Sequence, residues 1–363
     1  MADIDKAITF EDQIELEVRD RSKEMEVEVD IEEENPDFEG FEEMDDGSIM
    51  FGDATPPVEN TDFYANLAEE LDSSDLNNVV NDLMGNIDSD KESRSDWEKT
   101  YKEGLEYLGM KYEERSQPFE GASGVMHPLL AESVTQFQAQ AYNELLPSQG
   151  PVKTQVIGMA NAETEQQASR VQEFMNYQLM QVMKEYDSET DQMLFYLPLS
   201  GSAFRKVYYD QNLGRAVSKF IPSEDLIVPY AATDLHSATR ITHVIDMSMN
   251  DIKKLQQVGF YRDVDISTGS MIADDIDEVQ EEIDELQGVS PSYDDNDTCR
   301  VHEVHTELDL EGYEELDSEG EPTGIKLPYI ITIANDKVLS IRRNYKETDQ
   351  LKRRINYFVH YKF

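Results

Sequence analysis

The run Val301-His302-Glu303-Val304-His305 is the densest grouping of side chains able to ligate a metal or move a proton. A zinc-binding helix of the His-Glu-x-x-His kind needs its histidines four apart, which puts both on one face with the glutamate as general base. Here they are three apart in a segment that alternates like a strand, and on a strand positions 302 and 305 face opposite sides. Two ordinary histidines, on the surface or partly buried, are the expectation. The loop Gly121-Ala122-Ser123-Gly124 lacks the Gly-Lys-Ser/Thr ending of a phosphate cradle and follows no clear strand, so it reads as a flexible helix entry. No Gly-x-Ser-x-Gly elbow is present, and Cys299 has no local signature of a nucleophile. The acidic pairs Asp274-Asp275, Asp277-Glu278 and Asp294-Asp295 lack the Gly and terminal Glu spacing of a calcium-binding hand and read as solvated loop. No catalytic residue, cofactor or metal is assigned, and the chain is expected not to be an enzyme.

Two groupings point to association instead. Val171, Met175, Leu179, Val182 and Tyr186 recur at steps of four, four, three and four, a helical stripe suited to a core or a subunit interface. Met175, Met180, Met183 and Met193 sit on or near the same helices and read either as an adaptable partner groove or, as their helical spacing favours, as core or subunit interface. Arg342, Arg343, Lys346, Lys352, Arg353 and Arg354 form the only positive concentration. They are candidates for phosphate or acidic-partner contacts, and equally for strand-edge charges that block aggregation.

The chain has 363 residues and a formal net charge of −47. The charge is concentrated: residues 1–60 hold 22 acids against 4 bases, residues 263–297 hold 13 acids and no Lys or Arg, and residues 307–321 hold 8 and none. Removing these segments (−18, −13 and −8) leaves −8 on the other 253 residues, an ordinary globular surface. So acidic a chain repels a phosphate backbone and does not bind DNA by counterion release in a basic groove. It can still surround DNA without gripping it. With 39% hydrophobic residues, 18 Tyr and 14 Phe, the chain has material for a core. A single cysteine excludes an intramolecular disulfide and suits a reducing compartment. No 18-residue apolar run occurs, and the start MADIDKAITFEDQIELEVRD has neither a basic nor an apolar leader region, so neither export nor a membrane span is expected.

The elements that must position these residues follow from periodicity. Residues 1–60 read as a disordered acidic tail, although Glu24 to Val29 alternate like a strand. A helical region over 61–150 is expected to hold short helices along Phe63, Leu67, Leu71, Leu76, Val79, Val80 and Leu83, stopping at Gly85. A helix capped by Ser93 or Ser95 should carry Trp97, Tyr101, Leu105 and Leu108 and end at Gly109. Another should start at His127-Pro128, with a stripe of Leu130, Val134, Phe137, Ala141 and Leu145, and end at Pro147 and Gly150. Pro151 to Ile157 reads as a strand. Over 151–262 the pattern predicts one long helix from Ala162 to Tyr186 and a second piece toward Pro198. Strands then follow at Ala203–Tyr209, Ala216–Ile221 and Ile241–Asp246, with a turn at Asn212-Leu213-Gly214. Ser248 with Asp251 predicts a capped short helix ending at Gly259. After the acidic insertion 263–297, the segment 298–363 predicts a strand at Arg300–Leu308 and a hairpin of Ile330–Ala334 with Val338–Ile341 through Asn335-Asp336-Lys337. The aromatic run Asn356 to Phe363 is strand-like and reads as truncated. The fold class is α+β.

Three stretches together resemble the portal proteins of short-tailed bacteriophages: Gly121 to Leu130 with its continuation AESVTQFQAQAYNELLPSQGPVKTQVIG; VQEFMNYQLMQVMKEYDSETDQMLFYLPLSGSAFRKVYYD from Val171 to Asp210; and FIPSEDLIVPYAATDLHSATRITHVIDMSMNDIKKLQQVGFY from Phe220 to Tyr261. The resemblance is densest over 94–262 and none of it is a catalytic signature. It implies a portal-type wing of long amphipathic helices with a small antiparallel β-barrel-like sheet, in a dodecameric ring at one capsid vertex. It further implies a virion protein with these partners: its own copies, the terminase packaging ATPase, capsid and scaffolding proteins, tail adaptors and double-stranded DNA passing through unread. No membrane is implied. Portals of this kind continue into stem and clip regions, so this chain is expected to supply chiefly the wing. The alternative is an acidic binding module, a DNA-mimic-like protein sequestering a basic partner.

Overall fold

The computed structural model describes residues 41–43, 49–51, 63–109, 119, 127–158, 161–210, 213–266, 298–316 and 321–363. The chain divides into two compact units, Met1–Glu59 and Asn60–Phe363. In the first, strands β1 (Phe41–Glu43) and β2 (Ile49–Phe51) pair antiparallel. The rest of the expected acidic tail, Glu24 to Val29 included, lies outside the described residues, as do Gly121 to Gly124 and 267–297.

In the second unit a 3-10 turn at Leu67–Glu69, capped by Asn66, precedes helix α1 (Ser73–Ser93). Leu76, Val80, Leu83 and Ile87, spaced four, three and four, form its buried face. The expected stop at Gly85 does not occur. Gly85 lies on the exposed face, where a Cβ would meet nothing, and the roughly 1 kcal/mol that glycine costs a helix is outweighed by burial of Leu83 and Ile87 on either side. Helix α2 (Ser95–Leu108) follows, with Tyr101 and Leu105 buried and Trp97 stacked on Tyr101. Neither expected serine caps it. Arg94 occupies the cap, and Ser93 Oγ donates back to the Asp90 carbonyl at 2.7 Å, closing the last turn of α1.

Helix α3 (Leu129–Leu145) begins after Pro128. Its Val134 is buried, Phe137 and Ala141 pack on a neighbouring cluster, and Leu145 is exposed. Pro151 to Ile157 forms no strand. Its backbone is satisfied instead by side chains of helix α4 (Ala162–Tyr177): Asn176 accepts from Val152 N at 2.9 Å and donates to its carbonyl at 3.1 Å. The expected single helix to Tyr186 is broken as well. After Tyr177 comes a π-turn at Gln178–Val182, closed by Met183 N–H to the Gln178 carbonyl, and helix α5 (Tyr186–Ser200) starts anew.

Strands β3 (Ser202–Asp210), β4 (Arg215–Ile221), β5 (Leu226–Ile227) and β6 (Arg240–Ser248) follow, then helix α6 (Met249–Gln257). Ser248 caps α6, accepting from Asp251 N as expected. Strands β7 (Thr298–Leu308), β8 (Leu327–Ala334), β9 (Lys337–Arg343) and β10 (Phe358–Lys362) complete the unit. Asn335 and Asp336 both take positive φ, 46° and 57°, the geometry a two-residue β8–β9 hairpin requires.

The fold is α+β, and the second unit holds two antiparallel sheets, ordered β10-β3-β4 and β5-β6-β7-β8-β9. Neither closes on itself, which corrects the barrel-like expectation. Side chains occupy edges that a barrel would pair. Asn66 bonds to the β9 backbone, Glu189 accepts from Phe220 N of β4 at 2.7 Å, and Arg94 donates to the Leu226 carbonyl of β5 at 3.2 Å. One face of the five-stranded sheet, with Val304, Ile331, Ile333 and Ile341, packs on α1. Its other face meets Phe204, Ile221 and Phe358 of the smaller sheet at one end and Ile252 of α6 at the other.

Candidate interaction surface and buried charge cluster

Helix α4 is held at its start by a capping box, Asn161 Oδ1 accepting from Thr164 N at 2.8 Å and Thr164 Oγ1 accepting from Asn161 N at 3.0 Å. One flank is tied to the strap 152–154: Thr154 Oγ1 donates to the Ala168 carbonyl at 2.9 Å, beside the Asn176 pair. Yet α4 has no buried residue. Val171 (54% exposed), Phe174 (60%) and Met175 (42%) stand at i, i+3 and i+4 on one uncovered face. Tyr177 and Met180 are exposed as well. The expected stripe is therefore split by the π-turn: Val171 and Met175 face outward, while Leu179, Val182 and Tyr186 are half-buried. The methionines divide likewise. Met193 is core, Met183 half-buried, and Met175 and Met180 are exposed. Phe174 was missed because it lies off the four-residue step.

The basic cluster is largely committed within the chain. Arg342 donates to the carbonyls of Tyr64 and Phe260, Arg343 to that of Phe63, and Arg354 to those of Ala238, Leu235 and His236. Lys352 pairs with Glu315, and Arg353 with Asp349 at 3.0 Å. Lys346 is exposed. These guanidinium groups close backbone that the irregular segments leave unpaired.

The VHEVH segment lies on β7. His302 and His305 point to opposite faces as expected, but both are buried because both faces are covered. His302, on the α1 side, is held down to about 4 by burial. On the other side Glu303 Oε1 receives Lys206 Nζ of β3 at 2.5 Å and His305 Nε2 at 2.8 Å. Burial opposes the charge on Glu303, and Lys206 with the His305 hydrogen bond outweighs it, leaving the carboxyl below its ordinary range. His243, across from Glu303 on β6, is pushed down to about 3, by burial first and then by Lys206. Lys206 carries no local signal of this role, since its partner is 97 positions away. The arrangement is a compensated ion pair between sheets, and no group of metal-holding geometry occurs among the described residues. No helix of the described residues is long and apolar enough to cross a membrane.

No known family model matches the sequence, and no curated protein is significantly similar to it.

Proposed function

We propose that this chain is a subunit of a homo-oligomeric ring of the phage portal type, a structural conduit at a capsid vertex for genome packaging, head-to-tail joining and ejection. One observation carries the reading: α4 presents Val171, Phe174 and Met175 to solvent and, among the described residues, has no fully buried side chain of its own. A 16-residue helix alone is marginal in water, since helices draw most of their stability from packing an apolar face. A second copy meeting that face with a different surface makes a heterologous contact, which closes into a ring when the rotation between successive copies closes. The charge of −47 suits a wall along which a polyanion slides, and it opposes assembly at low salt. The packaging ATPase, capsid and scaffolding proteins and tail adaptors are the partners this role requires, with the virion as its place.

The test is the mass of the purified full chain by light scattering, with negative-stain imaging, at about 0.1 M and about 1 M salt, where the Debye length falls from about 10 to about 3 Å. Closed rings are expected, more populated at high salt, and Phe174→Asp should return them to monomer without lowering the monomer's melting temperature. A chain that stays monomeric at both salts, or rings indifferent to Phe174→Asp and Val171→Asp together, overturns the reading.

A further inference from the structure

The three-stranded sheet meets the five-stranded sheet through a small apolar contact and one polar point. Phe204, Ile221 and Phe358 of the smaller sheet pack with Leu226, Leu235, Ala238 and Ile241. Beside them Lys206 reaches Glu303, which also holds His305. The ring of Phe358 lies edge-on to His305 at 4.9 Å and to His243 at 6.1 Å. Both histidines are thus wedged between the sheets. The charged groups that face them are Glu303 on β7, Lys206 on β3, Lys219 on β4 and Arg354 before β10. Lys206 and Glu303 already meet there, with Lys219 and Arg354 in electrostatic reach. His243 Nδ1 is buried without a partner among the described residues.

We propose that this contact is an acid-sensitive latch: protonation of His243 and His305 parts the three-stranded sheet from the five-stranded sheet, while the latter keeps its fold. Each new imidazolium would add a cation to a buried contact whose only carboxylate among the described residues is already shared between Lys206 and His305. Their titration agrees in sign. His243 lies near 3, and His305 is lowered, burial with Lys206 and Arg354 outweighing the pull of Glu303. A folded-state value below the unfolded value of about 6.5 gives stability that is full above about pH 6.5 and drains as pH falls below it. Glu303, also lowered, acts in the same direction but only below the carboxylate range near 4. The histidines therefore act first. Selectivity follows from the size of the cores: His302 on the α1 face is also lowered, to about 4, and loses stability over the same range, but there the five-stranded sheet keeps the larger apolar cluster, which includes Ile87, Val304, Ile331 and Ile341.

Hydrogen exchange of the full chain, read by mass spectrometry from about pH 7.5 to about pH 5 with labelling times corrected for the intrinsic rate, decides the matter. Residues 202–210 and 358–362 should lose protection about tenfold or more, the equivalent of about one pKa unit, while 327–343 keep theirs. His243→Gln, which cannot charge, should flatten the profile. His305→Gln, which retains a donor for Glu303, should flatten it in part. Simultaneous loss in both sheets, no loss in 202–210 down to about pH 5, or variants with the parent profile would each overturn the latch. Should neither variant fold, the comparison of the two sheets in the parent chain still decides.

Discussion

Gly150 stands so close to Asn176 that a Cβ on the glycine would meet the side-chain amide carbon and oxygen at 2.4 Å. That amide is what ties the strap to α4, and Gly150 also has φ of +92°. Gly150→Ala must displace Asn176 and adopt a backbone that costs a non-glycine residue on the order of 1–2 kcal/mol. Because α4 contributes nothing to the core, the loss should be local. Proteolysis between residues 148 and 160 is expected to quicken several-fold while the urea midpoint of the whole unit barely moves. Asn176→Ala should behave the same way, and a Gly150→Ala chain as protease-resistant as the parent would show that the amide does not hold the strap.

Asn66 closes the outer edge of β9 as a strand would. Its Nδ2 donates to the Leu339 carbonyl at 3.0 Å, and its Oδ1 accepts from Ile341 N at 3.0 Å and from Ala68 N at 3.1 Å. Asn66→Ala leaves buried backbone groups unpaired and should lower unfolding free energy by about 2–3 kcal/mol in urea titration. Asn66→Asp keeps the acceptor but loses the donor and places a carboxylate against the Leu339 carbonyl, so it should cost at least as much at pH 7. An Asp variant equal to the parent in stability would contradict this.

Much of the second unit is legible in the sequence because its signals are local. Alternation marks β3, β4, β6 and β7. Asn335-Asp336 marks the hairpin, and Leu76, Val80 and Leu83 mark the first half of α1, while Gly85 reads as a stop and hides the half that buries Ile87. Where local rules failed, a distant partner decided. Pro151 to Ile157 has strand-like residues, but its hydrogen bonds go to Gln172 and Asn176 on a helix. Arg342 and Arg343 look like free cations until Phe63, Tyr64 and Phe260 bring their carbonyls from far along the chain. Of the candidate interface, the stripe through Val171 and Met175 was visible, but the π-turn that leaves it uncovered has no periodic signature. The Lys206–Glu303 pair joins strands that sequence places in separate segments, so no spacing rule could reveal it.

Arg94 offers the sharpest test of how the helices are fastened to the sheets. Its Nε donates to Glu98 at 2.6 Å, Nη1 to the carbonyls of Ser223 and Leu226 at 3.1 and 3.2 Å, and Nη2 to that of Glu224 at 2.8 Å. Both partners of the ion pair are nearly enclosed, each side chain 11% exposed. Arg94→Met would strand the Glu98 carboxylate and three carbonyls, and a loss of about 3–5 kcal/mol is expected. Arg94→Lys should rescue little, since one ammonium cannot reach a carboxylate and three carbonyls set out for a planar fork. The double change Arg94→Met with Glu98→Leu removes the stranded charge and should cost less than Arg94→Met alone, a coupling on the order of 1–3 kcal/mol. Urea titration of the four chains at pH 7 measures it. An Arg94→Met chain within about 1 kcal/mol of the parent, or strict additivity in the cycle, would mean that the irregular segment 223–226 is held by packing and not by this guanidinium.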